Sequence, residues 1–544
     1  MKKIDYNVFL DKVHGCWYGK CLGGAAGAPA EALKKVIEVR DFSDIYNPDI
    51  PNDDLDLQLL WLEVLEQKGT VINSCDLADA WVEKCQYTMS EYGYFLKNYM
   101  RGIKPPYTGI INNNFFNEGM GCPIRAEIWA IISAGNPKLA SDYAYMDGTL
   151  DHEKNSVWAE QMIAAMESMA FFENDMLEII NESMKYIPNN SKLFDCCTMV
   201  IEEYKKNTDC ETIRTMILNK FGHPDFTNVV QNMGFVFMAL LYGKADMRDT
   251  INMALRCGYD ADCTCAIAAS VVGIINGYSN LGDTKSLIND YFVCGIDVVR
   301  PSNSIKRLAE DTCKVALASP NYEIEITDVP KEFSNIKRPE NFKGFNLILA
   351  TEKGLEEAKK LIKPTIWHVS VPYYGQPEFP PDVLKGCRFN PGVMLNDVVC
   401  GINNAVNLDT EYIDEKRLTI ANEACIIKAY EDLIDIDSSL TAEGQICCYL
   451  KTTLNVDCDR KLWAIIGNND GFVMWCNKKE IIRKDEIRMW TPFNNNILFE
   501  LKKGENEIVL KLLRRTDKLN FSIGYKIYDE KKHWHGSSKW YFEK

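Results

Sequence analysis

Nowhere does the chain string together the roughly 18 apolar residues that a membrane-spanning helix needs. Its first twenty residues, MKKIDYNVFLDKVHGCWYGK, also lack the unbroken apolar stretch of a signal peptide, because Asp5, Asp11, Lys12 and His14 interrupt it. These absences point to a chain that is neither exported nor inserted, and a reduced, cytoplasmic setting is expected. No Cys-x-x-Cys pair recurs at zinc-finger spacing, which argues against structural zinc. The twenty cysteines are scattered instead, and the neighbours Cys196-Cys197 and Cys447-Cys448 would close into disulfides only with strain. Positive charge is short as well. A net charge of -16 repels nucleic acid and leaves a neutral ligand, or an anionic one carried by a metal, as the easier partner. Internal repeats and low-complexity tracts are missing too.

What is present is an ordinary globular composition, 46% hydrophobic and 25% charged, in a chain of 544 residues. That length exceeds what one core supports, so more than one domain is expected. From residue 5 to about 318 apolar residues recur at helical spacing, as in LDLQLLWLEVLEQ (55–67) and SVWAEQMIAAMESMAFF (156–172). Loops such as GGAAGAP (23–29), KPPYTG (104–109) and GNP (135–137) separate the helices. The stretch 319–343, rich in Pro, Asn and charge, reads as a linker, and 344–440 as a mixed connecting region with one helix at GLEEAKKLI (354–362). From 441 to 544 short β-rich runs alternate with Asn-Asp-Gly and Lys-Gly-Glu-Asn turns, the pattern of a β-sandwich. The expected fold class is therefore multidomain α+β: an all-α domain over 1–318 followed by a C-terminal β-sandwich.

Two acidic clusters each stand just before a long apolar helix: NDDLDLQLLWL, with Asp53 and Asp54, and GYDADCTCAIAASVVGIING, with Asp260 and Asp262. An acidic residue at a helix start is explained by capping and by the helix dipole. A cap uses one carboxylate, however, and each cluster supplies more. Four carboxylates gathered together repel one another without a cation, and hard oxygen donors select magnesium, calcium or manganese over zinc.

The strings HGCWYGKCLGGAAGAPAE, NDDLDLQ, GCPIRAEIW, LDH and GYDADCT, in this order over about residues 10–315, resemble the ADP-ribosylglycohydrolases, which include the enzymes acting on dinitrogenase reductase. The resemblance implies one or two Mg2+ ions held against ribose hydroxyls. It places Asn52, Asp53 and Asp54 on the family's Thr/Ser-Asp-Asp motif, and Asp260, Asp262 and Cys263 on its Asp-x-Asp-Thr motif. Asn52 offers an amide oxygen where the family has a hydroxyl, and Cys263 offers a soft sulfur that magnesium disfavours. Thr264 supplies a hydroxyl only with a shift of register. Glu31 falls on a glutamate beside the metal centre, suited to proton transfer, and its alternative is an exposed helix start. GMGCPIR (119–125) corresponds to a Gly-Asn-Gly-x-x-Met-Arg loop near a diphosphate, so that Gly119, Gly121 and Arg125 become substrate contacts, although Met120 and Ile124 replace the Asn and the Met. Arg125 equally suits an anchor for helix packing. His152 matches a histidine near the active site, or is simply structural.

Other features read more plainly. Glu118 is a weak candidate for reaching substrate. HWH (533–535) lacks partners for a metal site, and Trp17, Trp61, Trp81, Trp129 and Trp158 suit a core, with one of them able to line a sugar site. Residues 443–531, through IGNNDGFVMWCNKKEI and LKKGENEIVLKLL, resemble the galactose-binding or jelly-roll sandwiches attached to carbohydrate-active enzymes, which bind glycans or buttress a catalytic domain. The expected function is metal-dependent hydrolysis of a glycosidic bond in an ADP-ribosyl or related ribosyl compound, with Asp54, Asp260 and Glu31 catalytic. Its partner is then a small-molecule or glycan substrate, or an ADP-ribosylated protein. Two alternatives stand beside it: a glycosidase for an oligosaccharide or nucleoside-like glycoside, and a non-catalytic protein that binds glycan or ADP-ribose.

Overall fold

The computed structural model describes residues 1–49, 53–375, 406–516, 518–531 and 534–543. Two compact units emerge: Met1–Gln86 with Ser90–Leu355, and Tyr87–Met89 with Glu356–Lys544. The first is almost wholly helical. Six of its helices build the site: α1 (Tyr6–Gly27), α2 (Asp53–Lys68), α3 (Ser90–Met100), α4 (Asn155–Ala170), α5 (Val229–Gly243) and α6 (Ala261–Asn276). Asp5 starts α1, its carboxylate accepting from the Asn7 and Val8 amides at 2.8 and 3.3 Å.

α1 and α6 run antiparallel with their backbones in contact, and glycine makes this possible. A Cβ at Gly15, Gly19, Gly23 or Gly27 would lie within 2.2–2.4 Å of the α6 carbonyls of Gly273, Ala269, Cys265 and Ala261 in turn. Glycine at every fourth position keeps one face of α1 bare over its whole length. The consequence is positional: the N-terminus of α6 is pinned beside the C-terminus of α1.

A short parallel pair, β1 (Lys2–Asp5) with β2 (Ile324–Thr327), adds the only sheet of this unit among the described residues. The stretch 319–343, expected as a linker, thus supplies a strand, and Phe333 and Phe342 pack on the helical core. Its Pro, Asn and charge mark it as non-helical, and non-helical need not mean detached.

The second unit holds β3 (Thr365–Ser370), β4 (Glu423–Ala429), β5 (Leu433–Asp435), β6 (Ile446–Val456), β7 (Arg460–Asn468), β8 (Phe472–Cys476), β9 (Lys479–Lys484), β10 (Asn495–Leu501), β11 (Gly504–Arg514) and β12 (Asn520–Ile527). They form two antiparallel sheets, ordered β4-β3-β6-β11-β8-β9 and β10-β7-β12-β5. Leu450, Leu510 and Leu512 of the first meet Leu462, Ile466 and Phe521 of the second in one core, giving the expected sandwich. The alternate residues Tyr449, Val509 and Leu513 face a second apolar layer with Val406, Leu408 and Leu418, so both faces of the larger sheet are covered. Asn477 and Lys478, both at positive φ, close the β8–β9 hairpin as a two-residue turn. Cys196, Cys197, Cys447 and Cys448 are buried free thiols. Among the described residues no helix is long and apolar enough to cross a membrane.

Candidate active site

Asp260 immediately precedes α6 at the N-cap position, yet its side chain caps nothing. The carboxylate joins Asp262 and Cys263 instead, the three presenting ligand atoms within 4.8 Å of one another. Capping therefore does not account for Asp260. Asp54, from the first turn of α2, completes the group: the Cys263 thiol donates to its Oδ1 at 3.4 Å. Cys263 thus serves Asp54 as a hydrogen-bond donor. The Cys263 amide holds Asp262 Oδ1 at 2.9 Å.

All four side chains are at most 8% exposed, with Asp54 at 1%. Burial pushes Asp54 up to about 7 against the pull of Lys20, with Asp262 and Glu127 adding to the rise. Burial, and then Asp262 beside it, also drive Asp260 well above the usual carboxylate range. Carboxyls so placed resist ionisation until positive charge arrives. Three hard oxygen donors and one thiol suit a divalent cation of the magnesium or manganese kind, with the sulfur as the weakest member. Asn52 lies outside the described residues, and Asp53 is placed only as the first residue of α2.

Beneath this group sits a feature that sequence reasoning missed. Lys20 of α1 is fully buried, its Nζ 2.9 Å from Glu127, 3.5 Å from Asp54 and 2.8 Å from the Ile124 carbonyl. Burial works to discharge it, but Glu127 and Asp54 overcome that and raise its ammonium above the ordinary lysine range. Gln58 braces the same region, donating to Glu127 Oε2 at 2.8 Å and to the Asp54 carbonyl at 3.1 Å. A lone lysine inside the glycine-rich, otherwise apolar WYGKCLGGAAG was the available signal.

Glu31 follows the short turn Ala28–Ala30 that extends α1. Two backbone bonds tie this corner to the Asp260 loop: the Ala32 amide donates to the Tyr259 carbonyl at 2.8 Å, and the Tyr259 amide to the Leu33 carbonyl at 2.9 Å. Gly258, at φ +65°, allows the crossing, since a Cβ there would meet the Leu33 and Lys35 carbonyls at 2.4 Å. Glu31 and Asp262 consequently line one pocket of about 210 Å3, together with Asn47, Asp49, Tyr291 and Phe292.

The glycine loop behaves differently from expectation. Arg125 is 1% exposed and its donors go to Asp147 Oδ1 (3.0 Å), both oxygens of Asp151 (2.8 and 3.0 Å) and the Gly121 carbonyl (2.8 Å). Sealed and saturated in this way, it anchors the loop, and the expectation of a substrate contact gives way to the packing alternative. Gly119 donates its amide to the Phe116 carbonyl at 3.0 Å and accepts from the Ser156 hydroxyl at 2.6 Å. His152 is fully buried, with Nδ1 2.9 Å from Asp151 Oδ1. Glu91, at the start of α3, brings a carboxylate to Asp151 and His152, all three within 4.8 Å. Sequence reasoning passed over Glu91, because an acidic residue in a first helical turn looks like ordinary dipole pairing. Glu118 is engaged by the Asn155 amide at 2.8 Å. Trp17, Trp61, Trp81 and Trp129 are buried as core.

Comparison with known proteins follows the same outline. The ADP-ribosylglycohydrolase family model matches residues 5–315, more than half of the chain. No curated protein matches. Among solved structures, an ADP-ribosylglycohydrolase-related protein complex is 17% identical over 57% of this chain and 99% of its own, with a TM-score of 0.39. A beta-glucosidase from Kluyveromyces marxianus in complex with glucose is 9% identical over 24% of this chain and 16% of its own, at 0.18. Its selenomethionine-labelled form is 14% identical over 24% and 14%, at 0.17. At such TM-scores none of the three establishes a shared fold. The family model, spanning the whole helical stretch that carries Glu31, Asp54, Asp260 and Asp262, decides the matter: the chain belongs to the ADP-ribosylglycohydrolase family.

Proposed function

We propose that the helical unit hydrolyses a bond to the anomeric carbon of a sugar with the help of a divalent cation, Mg2+ first among the candidates. The observation that carries this is the convergence of Asp54, Asp260, Asp262 and Cys263 from two helices far apart in sequence, with Glu31 and Asp262 in one pocket. Asp54, Asp260 and Asp262 would hold the cation. When bound, it would fix vicinal sugar hydroxyls and polarise water.

The chain's own residues do the rest. Glu31, exposed at the pocket, holds or passes the proton exchanged between water and the leaving oxygen. The carboxylates around the ring favour the positive charge that develops at the anomeric carbon. Lys20 and Gln58 keep Asp54 in place.

Family membership points to an ADP-ribosyl or related ribosyl compound, free or attached to protein, as substrate. The carboxylate of Glu91 at the glycine loop favours a second reading, a glycoside without phosphate. Calorimetric titration with Mg2+ tests the cation: the wild type binds and Asp260→Ala loses binding, whereas no heat from either protein overturns the metal reading. Incubation with ADP-ribosyl-arginine, ADP-ribosyl-serine and a glycan panel, read by mass spectrometry, tests the reaction. Release of a free sugar that Asp260→Ala abolishes supports hydrolysis, and no release from any substrate rejects it.

A further inference from the structure

An ion bonded to both a sulfur and an oxygen holds those two atoms at a set spacing. With bonds of about 2.3 Å to sulfur and about 2.1 Å to oxygen, meeting between a right angle and the tetrahedral angle, the spacing is about 3.1–3.6 Å. Cys263 Sγ lies 3.4 Å from Asp54 Oδ1. The hydrogen bond between them thus already sets the distance that a shared ion needs. The same sulfur lies no more than 4.8 Å from a carboxylate oxygen of Asp260 and of Asp262. An ion seated among the three carboxylates would therefore have the sulfur beside it as well. Among the described residues no other cysteine joins such a cluster.

The sulfur is also held where it is. The Cys263 amide donates to Asp262 Oδ1 at 2.9 Å, which ties the two side chains together at the start of α6. That start is pressed against α1, since a Cβ on Gly27 would lie 2.3 Å from the Asp262 Cα. Cys263 and Asp262 are each 8% exposed and Asp260 3%, so little water reaches the group. Mg2+ keeps several waters and takes oxygen throughout its shell, and would have to leave this sulfur unbonded at its side. A softer ion bonds it.

We infer that Cys263 Sγ is a ligand in its own right, and that it makes the site prefer a thiophilic first-row ion such as Fe2+, Co2+ or Zn2+ over Mg2+. The inference rests on the proposed cation site and settles which kind of ion that site favours. Mg2+ binds through the oxygens alone. The thiophilic ion adds a metal–sulfur bond, and the thiol proton leaves to solvent as that bond forms.

Co2+, added to the metal-free wild type without oxygen, provides the test, because a cobalt–thiolate bond gives a near-ultraviolet charge-transfer band that oxygen ligands do not. The band is expected in wild type and absent from both Cys263→Ser and Asp260→Ala, the latter excluding every cysteine outside the site. Serine keeps the size of the side chain and replaces soft sulfur with hard oxygen. Calorimetry with Co2+ and with Mg2+ then gives the ratio of the two affinities. It should fall at least about tenfold in Cys263→Ser, since loss of even an outer partner of a metal commonly costs about 10–100-fold. Co2+ binding to wild type without the band overturns the inference and requires no variant to fold. The cation site itself survives that result if Asp260→Ala loses the binding. A band that persists in either variant, or an unchanged affinity ratio in Cys263→Ser, overturns the inference too. If neither ion binds wild type, the cation site and the inference fall together.

Discussion

Taking an ammonium out of water costs several kcal/mol unless carboxylates meet it. Lys20 is met by two, Glu127 and Asp54, and each of those would be stranded without it. Lys20→Met is therefore expected to destabilise the helical unit by about 3–5 kcal/mol, the usual cost of breaking a buried pair from one side, read as a shift in its urea midpoint. An unchanged midpoint would show that Asp54 and Glu127 shed their charge at no cost. His535 belongs to the second unit and titrates in the opposite sense to a stabilising histidine. Burial, helped by the Lys526 ammonium, pushes it down to about 4 from 6.5. The unfolded chain then takes up a proton that the folded chain refuses. Stability is complete above pH 6.5 and declines as the pH falls from there toward 4. Urea midpoints of the second unit at pH 7.5 and pH 5 should differ in wild type and differ less in His535→Gln.

Helices α1 and α6 set the site through their shared stripe of glycines, and the two ends of that stripe make different predictions. Gly15→Ala and Gly27→Ala both drive a methyl group to 2.2 Å from a carbonyl oxygen of α6. Each should cost about 1–3 kcal/mol from overpacking, seen as a lower thermal midpoint. Only Gly27 also abuts the Asp262 Cα, at 2.3 Å, so only Gly27→Ala should weaken Mg2+ binding in calorimetry. Equal loss of binding in both would mean that the stripe acts on the fold alone. At this scale much was legible in the sequence. Helical period revealed the first unit, alternation revealed the strands of the second, and paired carboxylates before apolar helices marked Asp54, Asp260 and Asp262. β1 and β2 were not legible, because four residues such as KKID carry too little pattern to separate a strand from a helix start. Whether Asp260 caps α6 depends on where its carboxylate turns, and spacing does not encode that. Arg125 looked available for a phosphate because nothing local announces Asp147 and Asp151, which arrive from the end of another helix and the loop beyond it.

The whole molecule contains separate apolar cores, one among the helices and the others within the sheets. Calorimetric unfolding is expected to resolve two transitions, and Mg2+ should raise the helical one while leaving the other in place, since a ligand stabilises the unit that binds it. A single transition raised as a whole would show that the units unfold together.

Gly15 and Gly273 touch across the α1 and α6 backbones, yet they stand 273 minus 15, or 258, positions apart in the chain. At about 5–20 residues per second, a ribosome spends roughly 10–50 s between releasing the first helix and releasing its partner. Through that interval α1 waits with its bare stripe uncovered. Nascent chains halted before residue 261 should accordingly be far more open to protease within α1 than chains halted after 320. α1 is thus a helix whose burial must wait until about 250 further residues have been synthesised.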